Sequence, residues 1–173
     1  VLLRQIAGEP EALPERDWEF TYRDEAAEGL SVGDVATFSK TLDTDDVARF
    51  ARASGDTNPL HLDDAYAQGT RFGRRIVHGV LALGVVSAAL ARLPGLVVYL
   101  SQTIQFVSPV DLGETVTARC EVIERLGHDR YRLRTRVYDA NEDVVLEGEA
   151  TVLVDPGSQV DATDVDEEIA QQG

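Results

Sequence analysis

Residues 79–93 read GVLALGVVSAALARL. Only Ser87 and Arg92 in this run are polar. A helix that is apolar on every side is one that the fold buries. The run also has an end. Arg92 suits the negative C-terminus of a helix dipole, and Pro94-Gly95 stop the helix there. The sequence therefore predicts a central buried helix of about 14 residues, roughly 21 Å long.

The chain beyond this helix reads as strand. Runs at 96–107, 115–125, 128–139 and 143–154 are rich in β-branched and aromatic residues. In the third, Tyr131, Leu133, Thr135 and Val137 alternate with Arg130, Arg132, Arg134 and Arg136, so one face is buried and the other carries arginine. Cross-strand pairing with Glu121, Glu147 and Glu149 is the expected use of those arginines, in preference to an anion-binding stripe. Gly127 and Asn141 stand where hairpin turns belong.

The N-terminal side is shorter in pattern. Residues 1–30 read as an irregular lead-in with room for one short strand, and 32–42 as a strand. Thr44 is expected to cap a short helix, with Asp45 and Asp46 in its first turn and Val47, Phe50 and Ala51 on its apolar face. Gly55 ends it. A second short helix is expected over 63–68, then a loop over 69–75 carrying Arg71, Arg74 and Arg75. Residues 155–173 hold six acids and no base, an acidic tail expected to be disordered. One domain, 31–154, remains: an α+β fold with an antiparallel sheet around a long helix. The sheet's second face must meet solvent or a partner.

The 173 residues carry a net charge of -15, with 31 acids against 16 bases, and Lys40 is the single lysine. That balance suits a salt-rich cytoplasm, where the Debye length shrinks to about 3 Å at 1 M salt; simply an acidic protein of low isoelectric point is the competing reading. It argues against duplex nucleic acid as a partner. No apolar run approaches the roughly 18 residues of a membrane span. Cys120 is the one cysteine and alternates in phase with Val116, Ala118 and Val122, as a buried structural thiol would. A lone thiol suits a reducing compartment, so the expected location is cytoplasmic.

Two stretches can carry chemistry. In 54–63, SGDTNPLHLD, Asp56 and His61 flank a turn-forming Asn58-Pro59, and Pro59 is expected to forbid helix through the loop. An imidazole titrates at about pH 6.5 and suits proton transfer. The pair fits addition of water, thioester hydrolysis or proton abstraction beside a carbonyl. An Asx-turn beside a satisfied histidine is the competing reading. In 75–79, RIVHG, Gly79 opens the central helix, whose first N–H groups favour negative charge. An enolate oxyanion fits there; alternatively Gly79 serves tight packing and His78 a cap or core role. Ser87, two turns further in, either bonds a ligand or bonds back to the Leu83 carbonyl.

The segment FARASGDTNPLHLDDAYAQGTRFGRRIVHGVLALGVVSAAL resembles the MaoC-like (R)-specific enoyl-CoA hydratases, with their D-x-N-P-x-H loop and I-V-H-G run. VYLSQTIQFVSPVDLGETVTARCEV is similar to the strand, proline and glycine pattern that those enzymes carry after the helix. The likeness covers about 32–154, closest to the short, single-domain hydratases that feed polyhydroxyalkanoate synthesis. It implies a hot-dog fold, an antiparallel sheet wrapped around the long helix and dimerised through the sheets. It implies reversible hydration of trans-2-enoyl-CoA to (R)-3-hydroxyacyl-CoA, in storage-polymer supply or fatty-acid metabolism, with Asp56 and His61 as the catalytic pair. Gly79 matches the donor to the thioester oxygen, Ser87 a serine lining the site, and Asn58 the loop asparagine. No metal or organic cofactor is implied. Coenzyme A phosphates on so acidic a protein need local cations, and Arg71, Arg74 and Arg75 are the candidates, with salt bridging to the acidic surface as the competing use of all three. An acyl-CoA thioesterase and a non-catalytic acyl-binding scaffold are the competing functions.

Overall fold

The computed structural model describes residues 18–22 and 30–155. The expected tail and most of the lead-in lie outside the described residues. The elements run β1 (Glu19–Tyr22), β2 (Val35–Leu42), α1 (Thr44–Ser54), α2 (Pro59–Leu62), α3 (Asp64–Gln68), α4 (Gly79–Leu90), β3 (Leu96–Phe106), β4 (Glu114–Gly127), β5 (Arg130–Tyr138) and β6 (Val144–Asp155). The strands form one sheet in the order β1-β2-β4-β5-β6-β3, antiparallel throughout. α4 packs against its β2-β4-β5 part. This is the sheet around a helix that the resemblance implies.

Period two decides which residues meet α4. Cys120 lies buried on β4 between Ala118 and Val122, and Leu133 and Val137 are buried on β5. Burial pushes the Cys120 thiol up to about 12, the behaviour of a structural cysteine. Thr135 keeps the pattern although polar, because Gln102 Nε2 donates to its buried hydroxyl at 2.9 Å. On the opposite face Arg132 pairs with Glu124 at 2.8 Å, Arg134 with Glu121 at 3.5 Å and Arg136 with Glu147 at 3.4 Å. Cross-strand pairing is thus the use of these three arginines, and half-exposed pairs of this kind add little stability. The β4–β5 turn bends through His128 and Asp129, both at positive φ, just after Gly127.

Local expectations shift in three places. Asp43, not Thr44, caps α1: its side chain accepts from the Asp46 N–H at 2.9 Å while Asp46 accepts from the Asp43 N–H. A reciprocal box satisfies two donors where a lone threonine satisfies one. Pro59 does not exclude helix but starts a single turn of it. Proline at the first helical position loses only an N–H that would be orphaned anyway. Asn58 caps that turn by accepting from the Leu60 N–H at 3.1 Å. The third shift concerns α4, which ends at Leu90 and is not covered all round. Val80, Gly84 and Ser87 share an exposed face four and seven residues apart, although Ala82, Val85, Val86, Ala89 and Leu90 are buried. The apolar pattern is right, but one chain alone does not bury it.

The exposed face of α4 is not isolated. β3 is an edge strand, paired only to β6 among the described residues, and Leu96, Val98, Leu100 and Phe106 on it are exposed. The other edge is different. β1 pairs with β2, and Arg92, past the end of α4, lies over the Phe38 ring at 4.5 Å and the Trp18 ring at 5.5 Å.

Candidate active site

Three short elements converge at the start of α4. Gly55, at φ 79°, ends α1 and turns the chain into the loop that holds Asp56. The Asp56 carboxylate accepts from the Asn58 N–H at 3.2 Å, an Asx-turn that leaves the group exposed. α2 then carries His61, 8% exposed, whose Nδ1 meets the Ile76 carbonyl at 2.8 Å. A carbonyl oxygen only accepts, so Nδ1 bears the proton and Nε2 is the ring atom left for exchange with a ligand. An Asp56 carboxylate oxygen, a His61 ring nitrogen and a His78 ring nitrogen lie within 4.8 Å of one another. Among the described residues no hydrogen bond joins Asp56 directly to His61. That spacing accommodates one water held by both. The Asx-turn and the Asp/His pair, alternatives in the sequence, coexist.

His61 also lines a cavity of about 520 Å³. Gly79 and Val80 of α4 form part of its wall, with Phe72 and the segment from Phe106 to Val110 around them. The wall is mostly apolar, with His61, Arg71 and Ser108 as its polar side chains. Gly79 is the first residue of α4, so its N–H has no carbonyl within the helix to bond. Packing also favours glycine there: a Cβ on Gly79 would sit 2.5 Å from Phe106 Cε1 and would have to displace that exposed ring. Both readings of Gly79 thus have a physical basis.

The remaining candidates distribute unevenly. Asn58 caps α2 and does not line the cavity. Arg71 lines it and makes no ion pair among the described residues. Arg74 donates to Asp111 at 2.7 Å and to the Phe72 carbonyl at 3.0 Å; Arg75 donates to Asp64 at 2.7 Å. Ser87 lies on the exposed face of α4, outside this cavity, and does not bond to the Leu83 carbonyl. Sequence reasoning did not single out Phe106 or the Val107–Val110 wall; that they follow a strand end at a proline was the only available signal. It also left His78 as a cap or core residue. It is 1% exposed, makes no side-chain cap, and its ring stacks on His61 with centroids 3.9 Å apart and planes 30° apart.

That stacking bears on metal binding. The two rings are tilted by 30° and bring one nitrogen of each within 4.8 Å of the other. His61 Nδ1 and His78 Nε2 are moreover engaged with the Ile76 and Asp56 carbonyls. That leaves one nitrogen on each ring, together with the Asp56 carboxylate, as the atoms the trio could offer a metal ion.

Residues 31–144 match the model of the MaoC like domain family. The chain is 40% identical over 136 residues to the 3-hydroxybutyryl-CoA dehydratase of Methylorubrum extorquens, covering 78% of this chain and 87% of that one. It is 42% identical over 130 residues to an (R)-specific enoyl-CoA hydratase of Rhodospirillum rubrum, covering 73% and 90%. Among solved structures it resembles the (R)-hydratase from A. caviae involved in PHA biosynthesis, with a TM-score of 0.70, 39% identity and coverage of 75% and 100%. R-Hydratase PhaJ1 from Pseudomonas aeruginosa gives a TM-score of 0.68 at 41% identity, covering 72% and 82%. Matched in sequence over most of its described length and in fold to solved hydratases, the chain belongs to the MaoC-like domain family.

Proposed function

We propose that this protein is an (R)-specific enoyl-CoA hydratase. It adds water reversibly to trans-2-enoyl-CoA to give (R)-3-hydroxyacyl-CoA. The observation that carries the reading is the Asp56–His61 pair, within 4.8 Å, with His61 facing a mostly apolar cavity beside the Gly79 N–H, which has no carbonyl within its helix to bond. Water held between the carboxylate and His61 Nε2 loses one proton to this pair as its oxygen bonds C3, the carbon–carbon π bond breaks, and the pair delivers a proton to C2, so that the OH and H of one water are added. Charge developing on the thioester oxygen is met by the Gly79 N–H and the positive end of α4. The thioester itself acidifies C2, so the reaction asks for no metal or organic cofactor. The substrate is a small thioester, and the reaction needs neither nucleic acid nor a membrane. Supply of 3-hydroxyacyl units for polyhydroxyalkanoate synthesis is a fitting use. With crotonyl-CoA in high salt, loss of the conjugated enoyl absorbance without thiol release is expected. Thiol release points instead to a thioesterase, and no change to a non-catalytic acyl-binding subunit.

The phosphates of coenzyme A are assigned first to Arg71, whose guanidinium is not spent on a carboxylate among the described residues. Arg71→Ala is expected to raise KM for crotonyl-CoA by about three- to tenfold, the scale of one charge-assisted contact at a partly exposed site. Arg74→Ala and Arg75→Ala change KM less, because Asp111 and Asp64 already hold those side chains. Unchanged KM in all three variants, with free coenzyme A no weaker as an inhibitor, overturns the assignment.

We also propose that the working form is a homodimer, closed over the β3 edge and the exposed α4 face, in a salt-adapted cell. An unpaired apolar edge strand invites a second copy. A net charge of -15 makes the compact state self-repelling at low ionic strength. Light scattering at high salt is expected to give twice the 18.9 kDa chain mass. Tm is expected to rise as salt goes from about 0.1 to about 2 M KCl, since screening tightens from about 10 Å to below 3 Å. A monomeric mass contradicts the dimer, and a flat or falling Tm contradicts the salt adaptation.

A further inference from the structure

His78 is a buried imidazole to which the hydration step assigns no proton. It immediately precedes Gly79 and is 1% exposed. Its Nε2 meets the main-chain carbonyl of Asp56 at 3.0 Å, across 22 residues of sequence. Since that oxygen can only accept, Nε2 carries the proton. Its ring stacks on His61 at 3.9 Å and lies against Phe50 at 4.9 Å and 55°. Nδ1 has no partner among the described residues. Burial, the largest influence, pushes the imidazole below its ordinary value and so favours the neutral form, although the bond to the Asp56 carbonyl and the Asp56 charge favour the charged one.

A buried polar ring with one nitrogen unpaired is costly where leucine or phenylalanine would fill the same space. What the imidazole adds is direction. Asp56 sits in an exposed loop and His61 on a single helical turn, neither of which is rigid by itself. His78 touches both and is bonded covalently to the residue that offers the third group. We propose that His78 is a positioning residue of the hydration reaction: it ties the Asp56 main chain and the His61 ring plane to the first residue of α4, holding carboxylate, imidazole and Gly79 N–H as one unit. This rests on the reading of Asp56 and His61 as the working pair.

Two uncharged variants separate direction from bulk. The amide of His78→Gln reaches the place of Nε2 and keeps a donor for the Asp56 carbonyl. The amide of His78→Asn stops at the place of Nδ1 and loses it. Both remove the ring and asparagine fills one methylene less, so a purely structural role makes turnover fall only in step with Tm. With crotonyl-CoA, H78N is expected to lower kcat by about 10- to 100-fold with KM within about threefold, as misplacement of reacting groups by a fraction of an ångström does. H78Q recovers at least about tenfold of that loss. Equal kcat in the two variants, or a loss carried by KM alone, overturns the inference. A readout independent of turnover accompanies this. The chain has three histidines, so long-range ¹H–¹⁵N spectra of the unaltered protein are simple. They are expected to show His78 as the Nε2–H tautomer; the Nδ1–H tautomer overturns the inference. If the unaltered protein does not hydrate crotonyl-CoA, the proposed function fails and takes this role with it. Hydration by the unaltered protein with indistinguishable variants sinks the positioning role alone.

Discussion

Asp56→Asn and His61→Ala are each expected to lower kcat for crotonyl-CoA hydration by at least about a thousandfold, toward the upper end of what general acid–base groups contribute. The magnitude follows from their joint task. One water must be held, oriented and relieved of a proton while another proton reaches C2. Asp56→Asn keeps the size and the Asx-turn acceptor but removes the charge and one accepting oxygen. His61→Ala removes Nε2, the ring atom not tied to the Ile76 carbonyl. Groups that act as a unit are not additive, so the double variant is expected to be no worse than the poorer single one by more than a few fold. Asp56 is exposed, so Asp56→Asn should leave Tm nearly unchanged. Steady-state kinetics alongside thermal unfolding separates the two effects. Turnover within tenfold of the unaltered protein in either single variant refutes the assignment.

The largest stability loss is expected at a glycine of the sheet, outside the catalytic site. Gly148 pairs with Ile104 in the β3–β6 ladder. A Cβ there would overlap the Thr103 carbonyl oxygen and lie 2.7 Å from its carbonyl carbon. Backbone cannot give way as a flexible side-chain end can. Gly148→Ala therefore has to open the ladder, at a cost above the about 1–3 kcal/mol typical of overpacking. Because β3 leads directly into Phe106 and Val107 of the cavity wall, activity should fall with stability. Circular dichroism melting and crotonyl-CoA turnover on the same preparation test this. A Tm within about 2 °C of the unaltered protein, on the scale where 1 kcal/mol moves Tm by several degrees, contradicts it.

The legibility of each element in the sequence depends on the reach of its signal. The alternation at Tyr131, Leu133, Thr135 and Val137 is local, and the strand and its buried face lie where it places them. The same holds for the structural phase of Cys120 and the stop at Gly55. α4 shows the limit. Its all-round apolarity is real, but periodicity counts what a helix must hide and not what hides it. The exposed Val80, Gly84 and Ser87 face therefore appears only in the structure. Pro59 was legible as a boundary but not as a beginning, since the same ring that breaks a helix interior suits its first position.

The chemical site divides in the same way. Asp56 and His61 are five residues apart, and a turn between them was visible; their common approach to α4 was legible through the family's two motifs. The Asp56 carbonyl and His78 meet across 22 residues, and no pattern of spacing announces such a bond. The arginines illustrate a third case. Arg71, Arg74 and Arg75 are equivalent as letters, and the place of Arg71 in the cavity wall and the positions of Asp64 and Asp111 set it apart.

Hydration and hydrolysis place water's oxygen on different carbons, so one labelling measurement tests the account most directly. The unaltered protein is incubated with crotonyl-CoA in oxygen-18 water at high salt, and the products are resolved by chiral chromatography and mass spectrometry. The account predicts one labelled oxygen in the C3 hydroxyl of (R)-3-hydroxybutyryl-CoA with the thioester intact. Label in the carboxylate of free crotonate, or a product of (S) configuration, would contradict it.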